Sequence, residues 1–91
     1  MKSRVNFSVV GAHDLAIPAY AMVDEDDYLT SPAEAAAAAI ARKNRLNHTT
    51  PRLQKSEERR DGTKVASWYD CSIIARGGRI VADVQIRIPA Q

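Results

Sequence analysis

Four acids in a row, Asp24-Glu25-Asp26-Asp27, form the densest group of chemically capable side chains in the sequence. Glu34 follows them within the base-free stretch DEDDYLTSPAE. Such carboxylates could hold a divalent cation, divide acid and base roles, or present charge to a basic partner; the first two require side chains converging from rigid positions. Consecutive acids at a strand exit point in different directions. No Asp-x-Asp-x-Asp-Gly calcium loop is present, and no second acidic motif could complete a metal site, so no metal is expected. The remaining readings are a solvated turn whose charge meets the positive end of the following helix dipole, and a patch for a basic partner.

Nucleophilic catalysis finds little material. His13 and His48 fall in separate expected loops, and Cys71 points into the expected core as a small hydrophobe. His13-Asp14 reads as a turn. There is no Gly-x-Ser-x-Gly elbow and no phosphate-cradling glycine loop, because Gly77-Gly78 is explained by a hairpin turn. Neither an enzyme nor a cofactor is expected.

A second charged group is basic. Arg42, Lys43, Arg45, Arg52, Lys55, Arg59, Arg60 and Lys64 stand against Glu57, Glu58 and Asp61. Such a stripe could track a phosphate backbone, meet an acidic protein, or only solvate a loop. The region from 47 to 63 has no aromatic residue, which argues against base stacking there. A third group is Trp68 opposite Arg87, with Asp70, Gln85, Ser72 and Asp83 beside them. Trp and Arg are enriched among interface hot spots, and a cation–π stack would pair these two.

These groups must be placed by elements. Val5, Phe7 and Val9 alternate with polar residues over 4–10, and Ile17, Ala19, Ala21 and Val23 lie on one face over 17–23, which predicts an antiparallel pair with Pro18 on an edge strand or at that strand's start. Tyr20 and Met22 are expected to join the sheet face of Trp68. Ser31, Pro32 and Glu34 make a capping box before AEAAAAAIARKNRL, so a helix is expected from Pro32 to Leu46, ending at Asn47. Its buried stripe is Ala33, Ala36, Ala37, Ala39, Ile40 and Leu46, with Glu34, Ala38, Arg42 and Arg45 toward solvent. Residues 47–63, with Pro51 and Gly62, read as a long basic loop.

The closing hairpin turns at Gly77-Gly78, which suits a two-residue type I′ turn. That register pairs Ala75 with Ile80, Ile73 with Ala82, Cys71 with Val84 and Tyr69 with Ile86 on one face. It pairs Ile74 with Val81, Ser72 with Asp83, Asp70 with Gln85 and Trp68 with Arg87 on the other. The expected fold is α+β: a four-stranded antiparallel sheet with one Ala-rich helix on one face, in the order strand, strand, helix, strand, strand. If the long last strand, RIVADVQIRIP, is an edge, it could pair across a two-fold axis into a homodimer.

Ninety-one residues suit one domain, 1–91. The apolar share of 45% and charged share of 26% suit a folded chain, and the net charge of +2 says little alone. A single cysteine excludes an internal disulfide. No apolar run approaches the roughly 18 residues that span a bilayer, and the N-terminus lacks a signal-peptide core. A cytoplasmic protein with no membrane contact is expected.

Two strands, an acidic turn, a capped alanine helix (SPAEAAAAAIARK) and a closing hairpin (SIIARGGRIVADV) give the chain an architecture that resembles small phage-encoded αβ proteins, the anti-CRISPR proteins in particular. The resemblance lies in organisation and composition across most of the chain, and no residue role carries over. It implies a non-catalytic inhibitor that binds a host nucleic-acid-guided defence complex. The surfaces for this would be Asp24, Glu25, Asp26 and Asp27 against a basic groove, and Tyr20, Trp68, Asp70 and Arg87 on the open sheet face. The alternatives are a nucleic-acid-binding accessory module using Arg42, Arg45, Arg52, Lys55, Arg59 and Arg60, and a structural or oligomerising phage protein.

Overall fold

The computed structural model describes residues 2–11, 14–24 and 31–89. Among them the fold is α+β, with one helix and antiparallel strands in two sheets. The strands are β1 (Lys2–Asn6), β2 (Ser8–Val10), β3 (Tyr20–Asp24), β4 (Thr49–Asp61), β5 (Lys64–Ala75) and β6 (Ile80–Pro89), and the helix α1 is Pro32–Lys43. β1 pairs with β3 in a two-stranded ribbon, and the four-stranded sheet has the order β2-β6-β5-β4. The single four-stranded sheet expected from sequence is therefore corrected to two.

The N-terminal run is one alternating stretch in sequence but serves both sheets. Val5 and Phe7 are buried and Val9 is half-buried, so the inward face is continuous, while the pairing partner changes at Phe7 from β3 to β6. Periodicity reports which side is buried and is blind to which strand lies alongside. The expected second strand from 17 to 23 begins only at Tyr20, after Pro18.

α1 starts as its sequence requires. Ser31 is the N-cap, its Oγ accepting from the Glu34 backbone N–H at 3.1 Å, and Pro32 occupies the first helical position. The helix stops three residues before the expected Leu46. Asn44 is the C-cap, with Nδ2 donating to the Ile40 carbonyl at 2.8 Å and to the Ala16 carbonyl at 2.7 Å. Arg45 then enters the left-handed region (φ 55°), while Leu46 N–H bonds Ala41 O and Arg45 N–H bonds Arg42 O. This is a Schellman ending with arginine where glycine is usual. The buried positions are Ala33, Ala35, Ala36, Ala37, Ala39 and Ile40. Alanines let the helix backbone approach the sheet closely, and the bulk of the core comes from Ile73, Ile86, Cys71, Val84 and Phe7 opposite.

The largest correction concerns residues 47–63, expected to be a loop. Thr49–Asp61 is a thirteen-residue strand paired along β5, from Thr49 opposite Ala75 to Asp61 opposite Lys64. Its polarity reflects its place at the sheet edge. Of its residues whose side chains are described, none is buried, and only Thr49 and Leu53 are half-buried. An edge strand also tolerates Pro51, whose missing N–H a central strand would need. A bulge between Lys55 and Glu57 shifts the alternation halfway along, which further hides the strand from a period-two reading. Gly62 (φ 66°) takes the first place of the turn into β5.

β5 and β6 keep the expected register from Ile73 opposite Ala82 to Trp68 opposite Arg87. Nearer the turn it differs. Ala75 N–H donates to Arg79 O at 2.8 Å and Ile74 faces Ile80, so the pairs Ala75–Ile80 and Ile74–Val81 do not form. Gly77 (φ 95°) and Gly78 (φ 92°) both use positive φ in the four-residue connection from Arg76 to Arg79, and a bulge restores the register beyond it. β6 lies between β5 and the short β2, which covers it only from Gln85 to Arg87 among the described residues, so the expected edge position of the last strand holds only in part.

Candidate functional site

The sequence groups are placed unequally. Asp24 ends β3, while Glu25, Asp26 and Asp27 lie outside the described residues. Tyr20 and Met22 do not join the face of Trp68. They sit on the outer side of the β1–β3 ribbon, 44% and 41% exposed, and the Arg4 guanidinium lies 4.3 Å from the Tyr20 ring centre. Their strand pairs with β1, and this moves them to a different sheet.

The helix-free face of the four-stranded sheet holds Trp68, Asp70 and Arg87 as expected. Its contacts differ in one respect. Trp68 is stacked by Arg59 of β4, 4.8 Å from the ring centre, where the sequence suggested Arg87. Arg59 became available only because its segment is a strand beside β5. Around this stack Ser72 donates to Asp83 and Gln85 donates to Asp70, each at 3.0 Å. These polar pairs join β5 to β6 on the open side.

The basic stripe divides in two. Toward the far end of β4, Lys55 pairs with Glu58 and Arg59 with Glu57. The hydrogen bond from Lys55 to Glu58 holds that ammonium above its ordinary range, and Arg59 holds the Glu57 carboxyl below its own. All four side chains are exposed, so the pairs contribute little stability, and they neutralise one another toward any ligand. Arg60 shares this half with them.

The near end is different. Arg42 and Lys43 lie in the last turn of α1, Arg45 follows its cap, His48 precedes β4, and Arg52 lies on β4 opposite Ser72. Arg76 and Arg79 sit in the β5–β6 connection, beside the same corner because Ala75 pairs with Thr49. All are exposed, and none makes an ion pair among the described residues. No acid occurs from 42 to 56 or from 71 to 82. Arg45 (φ 55°) and His48 (φ 57°) also occupy left-handed backbone, which costs a side-chain-bearing residue roughly 1–2 kcal/mol each relative to glycine.

His48, Arg76 and Arg79 were missed in the sequence because they belong to no basic run. The available signal was the absence of acids on both segments, which means something only when 49–61 is seen to pair with β5. Among the described residues no three His, Cys, Asp or Glu side chains come together, and no helix is long and apolar enough to cross a membrane. Unshielded guanidiniums on three elements can bind phosphate oxygens, in bidentate fashion where the geometry allows. Comparison with protein-family models, with curated proteins and with solved structures finds no match in any of the three.

Proposed function

We propose that the chain is a non-catalytic binding protein, working in the cytoplasm, that holds a nucleic acid against the end formed by α1, the start of β4 and the β5–β6 turn. One observation carries this reading: Arg42, Lys43, Arg45, Arg52, Arg76 and Arg79 stand on adjoining elements and none makes an ion pair among the described residues. At physiological ionic strength charge acts over about 8 Å, so a phosphate backbone is held by cations that lie near one another. Each phosphate neutralised contributes about 0.7–0.9 to the slope of log affinity against log salt. The test is a salt-titrated mobility-shift assay with single-stranded and duplex oligonucleotides. Binding at low salt with a slope that falls in a variant carrying Arg42→Ala, Arg52→Ala and Arg76→Ala supports the reading, and no binding at low salt rejects it.

A second reading is favoured by the Trp68–Arg59 stack on the helix-free sheet face: an inhibitor of a nucleic-acid-guided defence complex of the anti-CRISPR type, acting by protein–protein binding. Trp68, Asp70 and Arg87 would form its interface, with Asp24, Glu25, Asp26 and Asp27 supplying charge to a basic groove. Its test is inhibition of such a complex by Trp68→Ala and by the fourfold Ala variant of the acids. Loss of inhibition with the basic-end variant still active would displace the first reading.

A further inference from the structure

Resting on the nucleic-acid reading, we infer that the corner where β4 begins is a binding site for one nucleoside phosphate unit, with its phosphate between Arg52 and Arg76. An open cleft of about 680 Å³ lies there, lined by His48, Thr50, Pro51, Arg52, Ile74 and Arg76 among others. That is ample for a single nucleotide and falls within the usual range of small-ligand sites.

The lining divides by chemistry. Ile74 offers apolar surface and His48 an imidazole to a base or sugar. Arg52 and Arg76 offer guanidinium donors to a phosphate. The Thr50 hydroxyl can add a further donor. The neighbouring Thr49 hydroxyl is already committed, donating to the Leu46 carbonyl at 2.9 Å. The side chains of Thr50, His48, Arg52 and Arg76 make no hydrogen bond or ion pair among the described residues. The donors are thus present and unspent.

His48 supplies the independent observation. The left-handed backbone of Arg45 completes the helix ending, but His48 (φ 57°) closes no helix and is itself one of the residues lining the cleft. A glycine would take that conformation freely, so the ring is kept at a cost to stability.

The same chemistry could come from a free mononucleotide or from one unit of a strand. The experiment is titration of the full chain with adenosine monophosphate, inorganic phosphate, adenosine and a short single-stranded oligonucleotide, followed by amide shifts in NMR. The expected result is that the monophosphate binds tighter than phosphate or adenosine and moves residues 48–52 and 74–76. Arg52→Ala and Arg76→Ala should each weaken it about tenfold. His48→Gly should raise the melting temperature while weakening binding, whereas a His48 without a ligand role would raise it and leave binding unchanged. An oligonucleotide that competes with the monophosphate identifies a strand unit; one that does not identifies the free nucleotide.

Monophosphate binding that ignores both arginine substitutions, or equals that of inorganic phosphate, overturns the site. Oligonucleotide binding lost in Arg42→Ala, Lys43→Ala and Arg45→Ala but retained in Arg52→Ala and Arg76→Ala removes the cleft and leaves the basic end standing. Cleft-dependent monophosphate binding with no oligonucleotide binding does the reverse.

Discussion

Strand β4 runs from a corner where cations stand alone to a tip where cations are matched. Both ends come from one polar stretch, yet Arg52 shares its cleft with Arg76 of the β5–β6 turn, while Lys55 and Arg59 meet Glu58 and Glu57. Formal charge in sequence is therefore a poor guide to the field a partner feels. What decides is whether a counter-charge lies on the same strand within reach, and that depends on a register no composition reveals.

The comparison can be broken most directly by removing charge from each end separately. Arg42→Ala, Arg45→Ala, Arg52→Ala and Arg76→Ala together should lower oligonucleotide affinity at low salt by about a hundredfold or more. Lys55→Ala, Arg59→Ala and Arg60→Ala together should change it by no more than about threefold. Equal losses in a mobility-shift assay would show that the ion pairs do not silence the tip. A substitution under both ends comes next. Ile40→Ala removes a fully buried side chain from the core beneath α1 and should cost about 2–5 kcal/mol in urea unfolding, while the ratio of affinities between the two charge variants stays the same.

A smaller effect sharpens the contrast. Arg45→Gly should stabilise the fold by about 1 kcal/mol, read as a rise of about 4–8 °C in Tm, and weaken oligonucleotide binding. A gain in stability with no loss of binding would mean that the left-handed arginine serves no ligand. Cys71 is a control lying between the two ends. Burial pushes its thiol up to about 11, so the fold favours the neutral form. The stability this confers is complete below the unfolded value of about 9 and is lost as pH rises toward about 11. Alkylation at pH 8 should accordingly be slow in the native protein and fast in urea. The least change is expected from Glu57→Gln, which frees Arg59: acid unfolding should shift only slightly, because this exposed pair confers its effect above the usual carboxylate pKa and loses it as pH falls through the lowered value.

Much of the fold was legible because it is written locally. Ser31, Pro32 and Glu34 mark a helix start by their own hydrogen bonding, and alternation in β5 and β6 set a register that holds from Ile73 to Trp68. What was not legible depends on neighbours. β4 lacks alternation because one of its edges meets solvent, and Phe7 keeps its period while its strand changes partner. The helix end moved to Asn44 because that side chain reaches Ala16, a contact between segments far apart in sequence. The candidate site suffered most, since its bases come from three elements and those of the β5–β6 turn reach β4 only through the β4–β5 pairing.

The passage of the N-terminal run from ribbon to sheet at Phe7 also bears on how the protein is made. β2 is synthesised before any other strand of the four-stranded sheet, but Val9 cannot meet Ile86 until residue 86 has been added. Ribbon and helix can assemble while translation continues, whereas the sheet closes only afterwards. A pause before residue 80 would leave Phe7 and Val9 without their cover, and that nascent chain is the species a chaperone would meet.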